Sequence, residues 1–227
     1  MLKKSTFICF ILCLTAVFLS CSIFCGCTTK NTLVQYVSEL RSDLFFGQSQ
    51  NYSLKAGYGF KETPYHNDGN VKQKEYSLTF RLEDKETDQL LYSLSMTVNS
   101  NVYSAEFKIN PVTHALTAEI KIDDFNLKSF DVEISVGSNK ETVTMHSILP
   151  ENTISYEKAL DCLQEKQSKL LASYYDQNGV FNAEIHIRVL VKDQKPYWYV
   201  GLAKNKNLKA LLIDGVSGEV LAIREVL

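Results

Sequence analysis

The sequence predicts a mainly β protein, α+β overall, whose core is built from antiparallel strands. Apolar and polar residues alternate through most of residues 49–150, which is the pattern of strands with one buried face. A stretch with helical spacing follows, and the alternation then returns towards the end of the chain. The 227 residues are 45% hydrophobic and include 12 Tyr and 12 Phe, which suits a folded chain rather than a disordered one.

Residues 1–30 have the layout of a secretory signal. Lys3 and Lys4 precede an uncharged apolar run from Thr6 to Phe24, and polar sequence follows. The basic end of such a segment stays on the cytoplasmic side while the apolar run enters the bilayer. We therefore expect residues 28–227 to lie outside the cytoplasm.

The end of this leader, Phe24-Cys25-Gly26-Cys27, resembles a bacterial lipobox, in which a Cys after a small residue is acylated before cleavage. It departs from that pattern at Phe24, where Leu is usual, and at Cys25. The resemblance implies a lipoprotein signal peptide of residues 1–26. It also implies a diacylglycerol anchor, with palmitate among its acyl chains, that holds Cys27 on the extracytoplasmic side of the cell membrane.

Cys21, after Phe18-Leu19-Ser20, is a second candidate for lipidation. The residues that follow it are still apolar, so cleavage there would leave an apolar segment at the N-terminus of the mature protein. Two other arrangements remain open. The run from Thr6 to Phe24 has 19 residues, close to the roughly 20 that span a bilayer, so an uncleaved transmembrane anchor is one alternative. Simple secretion is the other.

Cysteine usage and charge exclude several classes of protein. Five of the six cysteines lie in the leader and Cys162 is the one in the body, so no disulfide framework is expected. The chain has 24 basic and 26 acidic residues; removal of residues 1–26 leaves 22 and 26, a net charge of −4. This mild balance argues against nucleic acid as a partner, because nucleic-acid binding needs a concentrated basic face.

Residues 27–48 are expected to link the anchor to the first domain. Leu33, Val37, Leu40 and Leu44 are spaced four, three and four residues apart, which is helical spacing. The pattern predicts a short amphipathic helix over residues 31–46.

Seven segments of residues 49–150 alternate between apolar and polar side chains. They are residues 52–60, 76–82, 92–98, 103–109, 116–122, 132–136 and 142–146. Seven short strands separated by turn residues predict an antiparallel two-sheet β-sandwich. An immunoglobulin-like topology fits this pattern, although strand order is not visible in the sequence and the Cys…Trp…Cys signature of true immunoglobulin domains is absent.

A second, smaller domain is predicted over residues 151–227. Pro150 biases its predecessor towards extended geometry and marks the boundary. Ser155 is a suitable N-cap for a helix over residues 156–173. Alternation returns after Asn178-Gly179, so the expected order is one helix followed by three or four antiparallel strands.

Three stretches of this domain carry a family resemblance. They are SYEKAL at the helix start (155–160), PYWYV in a strand (196–200) and LIDGVSGEVL in the closing hairpin (212–221). In that hairpin Gly218 can take a left-handed conformation, and Asp214 and Ser217 can bond local backbone groups.

On these motifs residues 152–225 resemble a PepSY-type domain, with Gly215 where Ala is more common and Ser217 where Thr is. Domains of this type are small binding or inhibitory modules of secreted peptidases and envelope proteins, and they are not catalytic. The overall layout resembles a lipoprotein of a Gram-positive bacterium with a C-terminal PepSY-like domain.

No motif for catalysis, a metal or a cofactor is found. His66, His114, His146 and His186 are scattered without metal-ligand spacing. Cys162 lies among apolar helix residues, where a small buried side chain is expected.

The sequence also contains an acidic pair, Asp123-Asp124, and an aromatic run, Tyr197-Trp198-Tyr199, that could bind a ligand. Asp123-Asp124 is more typical of a turn than of a calcium site. Successive strand residues point to opposite faces, so Tyr197 and Tyr199 are expected to share a surface that binds a ligand, while Trp198 faces the core.

Three functions are weighed on these grounds. The anchor and the PepSY-like tail favour a surface-tethered, non-catalytic module that binds, or inhibits, a secreted peptidase or another envelope protein. A structural or accessory envelope protein with no effect on proteolysis is the alternative. An enzyme would need a cleft that joins groups far apart in the sequence, and we expect none.

Overall fold

The computed structural model describes residues 33–63, 73–84 and 91–226. The predicted signal peptide, Cys21 and Cys27 lie outside the described residues. Residues 33–227 form one compact unit. Its described residues are mainly β as expected, with 60% in strands and two α-helices.

The described elements follow in chain order. A 3₁₀ helix spans Leu33–Tyr36, and the α-helices are α1 (Tyr156–Lys166) and α2 (Ser168–Ala172). The strands are β1 (Val37–Gln48), β2 (Tyr52–Glu62), β3 (Lys74–Asp84), β4 (Tyr92–Val98), β5 (Asn101–Glu106), β6 (Lys108–Ile109), β7 (Leu116–Lys121), β8 (Ser129–Val136), β9 (Asn139–Ser147), β10 (Glu184–Lys192), β11 (Lys195–Lys204), β12 (Asn207–Asp214) and β13 (Val220–Val226).

The predicted helix over residues 31–46 is wrong, because most of this stretch is strand β1. A bulge between Arg41 and Asp43 shifts the alternation by one residue, so the buried positions on either side of it are Leu40 and Phe45. A second irregularity, between Val37 and Glu39, leaves the buried residues Val37 and Leu40 three positions apart, which is one of the intervals that suggested a helix. Both edges of β1 find partner strands, and this pairing overrides local propensity.

Strand β1 joins two parts of one sheet. It pairs along most of one edge with β2. On its other edge, Val37–Arg41 pair in parallel with β10, and Phe45 and Phe46 pair antiparallel with β9. The sheet therefore runs in the order β13-β12-β11-β10-β1-β2-β3-β7-β6, with a branch β9-β8-β4-β5 that leaves from β1.

Strands β1 to β9 curl into an antiparallel sheet that is nearly closed like a barrel. All seven alternating segments are strands, and the stretch 103–109 is split at Phe107 into β5 and β6. The predicted immunoglobulin-like sandwich of two separate sheets is corrected, because β1 pairs with both β2 and β9 and makes the sheet continuous. The barrel encloses the first hydrophobic core, which includes Phe45, Leu54, Leu78, Phe80, Leu94, Val132, Ile134, Val143 and Met145.

The second core lies between the helices and β10 to β12. It includes Leu33, Val37, Phe60, Leu160, Leu163, Phe181, Ile185, Ile187, Trp198, Val200 and Ile213. Because Val37, Leu40 and Phe60 belong to this core, β1 and β2 contribute to both cores. The division into domains at about residue 150 therefore stays a prediction, and the sheet runs across it.

The predicted helix over residues 156–173 is present as two helices. Ser155 caps α1 as expected, and its hydroxyl accepts a hydrogen bond of 3.3 Å from the backbone N–H of Lys158. The chain leaves helical geometry at Gln167, with φ −122° and ψ 30°, and α2 follows. The break changes the phase of the helix, so that Leu171 is buried while Leu170 is half-buried.

The turn between β12 and β13 has the chemistry expected from its sequence. Asp214 Oδ1 accepts hydrogen bonds from the backbone N–H groups of Val216 and Ser217, at 2.9 and 2.8 Å. These donors lower the pKa of Asp214, because they favour its ionised form. Gly218 has a φ of +69°, in the left-handed region.

This turn packs directly on helix α1. A Cβ added to Gly218 would lie 2.5 Å from Sγ of Cys162 and 3.1 Å from its Cβ. One turn further along the helix, Lys166 Nζ donates a 3.1 Å hydrogen bond to the carbonyl oxygen of Gly218. The helix and the closing hairpin therefore meet where residue 218 must have no side chain.

We predict that Gly218→Ala lowers the free energy of unfolding by about 2–4 kcal/mol, measured by urea denaturation. About 1–2 kcal/mol comes from the left-handed backbone and the rest from the contact with Cys162. Gly137→Ala is the matched control, because Gly137 has a φ of +59° and open space around its Cβ position.

In a Cys162→Ala background, the excess cost of Gly218→Ala over Gly137→Ala should fall, because the 2.5 Å contact with Sγ is gone and only the 3.1 Å contact with Cβ remains. Equal costs of the two glycine substitutions in the native background would show that the contact with Cys162 does not limit residue 218.

Candidate binding face

The sheet of the second core has one face covered by helices and one that no helix of the described residues covers. On β10, Ile185, Ile187 and Val189 are at most 1% exposed and face the helices. His186 and Arg188 alternate with them and are half-buried on the other side. We call this second side the open face, defined by Glu39, Arg41, His186, Arg188, Tyr197, Tyr199 and Leu212, which are linked by cross-strand pairing.

The three aromatic residues of β11 divide between the two faces. Trp198 is 2% exposed in the second core, and its Nε1–H donates a 3.0 Å hydrogen bond to the carbonyl oxygen of Ile154. Tyr197 and Tyr199 are half-buried on the open face. The expected geometry is present, and the ligand-binding role of the two tyrosines stays a prediction.

Two arginines lie side by side at the centre of the open face. Arg41 of β1 and Arg188 of β10 are direct partners in the parallel strand pair. The guanidinium carbon of Arg188 lies 5.0 Å from the ring centroid of Tyr199, a cation–π arrangement. The side chain of Arg41 lies across Gly57, where a Cβ would be only 2.8 Å from its Cδ. Both guanidinium groups are thus held against the sheet.

The electrostatics of this pair are unfavourable in the isolated protein. Burial and the neighbouring charge of Arg188 lower the pKa of Arg41, while Glu39 acts in the opposite direction. Within residues 33–63, 73–84 and 91–226, no ion pair at up to 4.0 Å includes Arg41 or Arg188.

His186 lies beside the arginines and contacts a buried acid. Its Nε2 is 3.3 Å from Oε2 of Glu184, which is 2% exposed. His186 is half-buried.

A groove of about 700 Å³ opens at the junction of the barrel and the helices. Its lining residues include Asp43, Lys128, Ser129, His146, Tyr156 and Trp198. Burial, and then the charge of Glu157, raises the pKa of Tyr156 to about 12.

Ser129 and His146 meet in this groove, with Oγ 3.1 Å from Nδ1. The hydroxyl of Ser129 donates to the carbonyl oxygen of Met145 at 2.9 Å, so its proton is not directed at the imidazole as nucleophilic catalysis would need.

The remaining sequence candidates are not brought together. Cys162 is 7% exposed beneath Gly218. Asp123 accepts a 2.9 Å hydrogen bond at its carbonyl oxygen from the hydroxyl of Tyr58 and lies in an exposed turn. The described part of the chain contains no group of three His, Cys, Asp or Glu arranged for a metal. It also contains no helix long and apolar enough to cross a membrane.

The sequence did not reveal the arginine pair. Arg188 lies in the alternating stretch after Gly179, whereas Arg41 lies within residues 31–46, which were predicted to be a helix. The two residues come together only through the parallel pairing of β1 with β10, and no local sequence pattern indicates that pairing.

Comparison of the chain with protein-family models, curated proteins and solved structures found no match.

Proposed function

We propose that this protein is a lipid-anchored extracytoplasmic protein of a bacterial cell envelope, and that it acts as a non-catalytic binding module for a protein partner. The leader, with its lipobox-like end at Cys27, supports the anchor and the location. The resemblance of residues 152–225 to PepSY-type domains supports a binding role, with a secreted peptidase as one class of partner.

The open face is the observation that carries this proposal. It places the half-buried ring of Tyr199 against the guanidinium group of Arg188, which is the strand partner of Arg41. Tyr197, also half-buried, lies two residues along β11 from Tyr199 on the same face. Tyr and Arg are enriched where protein interfaces gain most of their binding energy, because they offer large apolar area together with fixed polar groups.

The anchor is tested by metabolic labelling of bacteria that produce the full-length protein, using a palmitate analogue followed by membrane fractionation. We expect Cys27→Ala to abolish both the label and removal of the leader, seen as a larger protein in the membrane fraction, because acylation of this thiol precedes cleavage. Cys21→Ala is the matched control and should keep both. Label that is lost in Cys21→Ala and kept in Cys27→Ala would move the anchor to Cys21, and absence of label from the native protein would refute lipidation.

The binding role is tested by immobilising residues 28–227 and exposing them to envelope and culture-supernatant proteins. We expect Tyr197→Ser with Tyr199→Ser to reduce retention of the specific partner at least tenfold, measured by quantitative mass spectrometry, because two aromatic contacts are lost. Val102→Ser is the control, since Val102 is 74% exposed on β5, outside the open face.

Cleavage of a peptidase substrate, followed in the same samples, separates the two binding roles. Slower cleavage with the native protein but not with the double variant would support inhibition. A fixed set of retained envelope proteins with unchanged cleavage would support the structural or accessory role. Retention that does not depend on either tyrosine would contradict the open face as the binding surface.

A further inference from the structure

The placement of the two arginines on the open face does not stabilise the folded protein by itself. Arg41 and Arg188 are paired positions on neighbouring strands, which lie about 4.8 Å apart. Their side chains project from the same face and carry the same charge. Like charges at this spacing repel each other, and partial burial strengthens the repulsion because water screens them less.

An anion between two guanidinium groups converts this repulsion into attraction. Arginine presents N–H donors in a planar fork that matches the oxygens of a carboxylate or a phosphate. Both arginine side chains are held in position before an anion binds. Tyr199 holds Arg188 at a ring-to-cation distance of 5.0 Å, and the absence of a side chain at Gly57 lets Arg41 lie flat. Such preorganisation lowers the entropic cost of binding.

The neighbouring groups indicate which kind of anion fits. Glu39 lies on the same face and acts electrostatically on Arg41, so a doubly charged phosphate would meet more repulsion than a singly charged carboxylate. Tyr199 is the cross-strand partner of Arg188, and Leu212 and Tyr197 flank Tyr199 on the same face, so an apolar and aromatic surface adjoins the pair. A carboxylate with apolar neighbours is what an acidic polypeptide segment offers.

We propose that Arg41 and Arg188 form an anion-binding site that receives a carboxylate group of a polypeptide partner, with the adjoining tyrosines contacting the residues beside that carboxylate. The anion site follows from the geometry of the pair, and its assignment to a polypeptide rests on the proposed binding function. The carboxylate can come from an acidic side chain or from the end of a chain, and the two sources are separated by the choice of peptide.

The test uses the full-length protein in neutral detergent micelles, with the arginine Nε–Hε resonances followed by NMR. The probes are the capped peptide acetyl-Tyr-Glu-Tyr-amide, its Gln analogue, acetyl-Tyr-Ala-Tyr with a free C-terminal carboxylate, and inorganic phosphate. We expect the Glu peptide to shift the resonances of Arg41 and Arg188 and to bind at least about tenfold more tightly than the Gln peptide. Shifts with the free-carboxylate peptide alone would assign the site to a chain terminus.

Variants of the pair provide the second half of the test. Arg188→Gln and Arg41→Gln should each remove the preference for Glu over Gln, while Arg41→Lys should keep part of it because the charge remains without the fork. Arg81→Gln is the control with the same change in net charge, since Arg81 is exposed and lies 4.0 Å from its own partner, Glu83. Fluorescence of Trp198 reports whether each variant is folded.

Three outcomes would overturn the proposal. They are equal binding of the Glu and Gln peptides, a preference that survives the double substitution of both arginines, and phosphate binding tighter than that of both carboxylate peptides. If tyrosine-dependent retention of a partner persists while the Glu peptide causes no shift, the anion site fails and the binding function stands.

Discussion

The parallel pairing of β1 with β10 is the constraint on which the rest of the structure depends. Strand β1 reaches the helix-covered sheet with Val37–Arg41 and the barrel with Phe45 and Phe46, and β2 follows both halves along its other edge. The bulge between Arg41 and Asp43 lies between these two halves. One strand therefore supplies hydrogen bonds to both parts of the sheet and side chains to both cores.

The candidate binding face is a consequence of this pairing. Without it, Arg41 and Arg188 would belong to separate sheets, and the open face would end at β10. The face is also supported from behind. Trp198 is anchored to Ile154 through its Nε1–H, and the backbone N–H of Ile154 in turn donates a 2.8 Å hydrogen bond to the carbonyl oxygen of Gly215. These contacts hold the segment before α1 to β11, which carries Tyr197 and Tyr199, and to the turn after β12.

The sequence predicted those structural features that depend only on residues close together in the chain. Alternation located all seven barrel segments, since a strand with one buried face must repeat every two residues. The N-cap at Ser155 and the turn at Asp214 and Gly218 were readable for the same reason, because their hydrogen bonds join residues only a few positions apart.

The features that escaped prediction depend on distant partners. Two irregularities break the alternation of β1, so this strand was predicted as a helix. The continuity of the nearly closed sheet depends on the pairing of β1 with β9, about a hundred residues away in sequence. Only part of the open face was predicted from the sequence. Alternation placed Tyr197 and Tyr199 on one face, but it did not indicate that Arg41 belongs to the same face. The composition of the sequence and the spacing of its residues do not indicate which strand edges pair with each other.

The central claim is that β1 couples the two cores, and Phe45→Ala tests it most directly. Phe45 is 2% exposed and packs edge-on against Phe125 and Phe130 in the first core, so its truncation should cost about 3–5 kcal/mol. The chain has one tryptophan, Trp198, and it reports on the second core. Urea unfolding followed by Trp198 fluorescence should show the full loss of stability if the cores unfold together. An unchanged midpoint would contradict the account, because the second core would then be stable without the first.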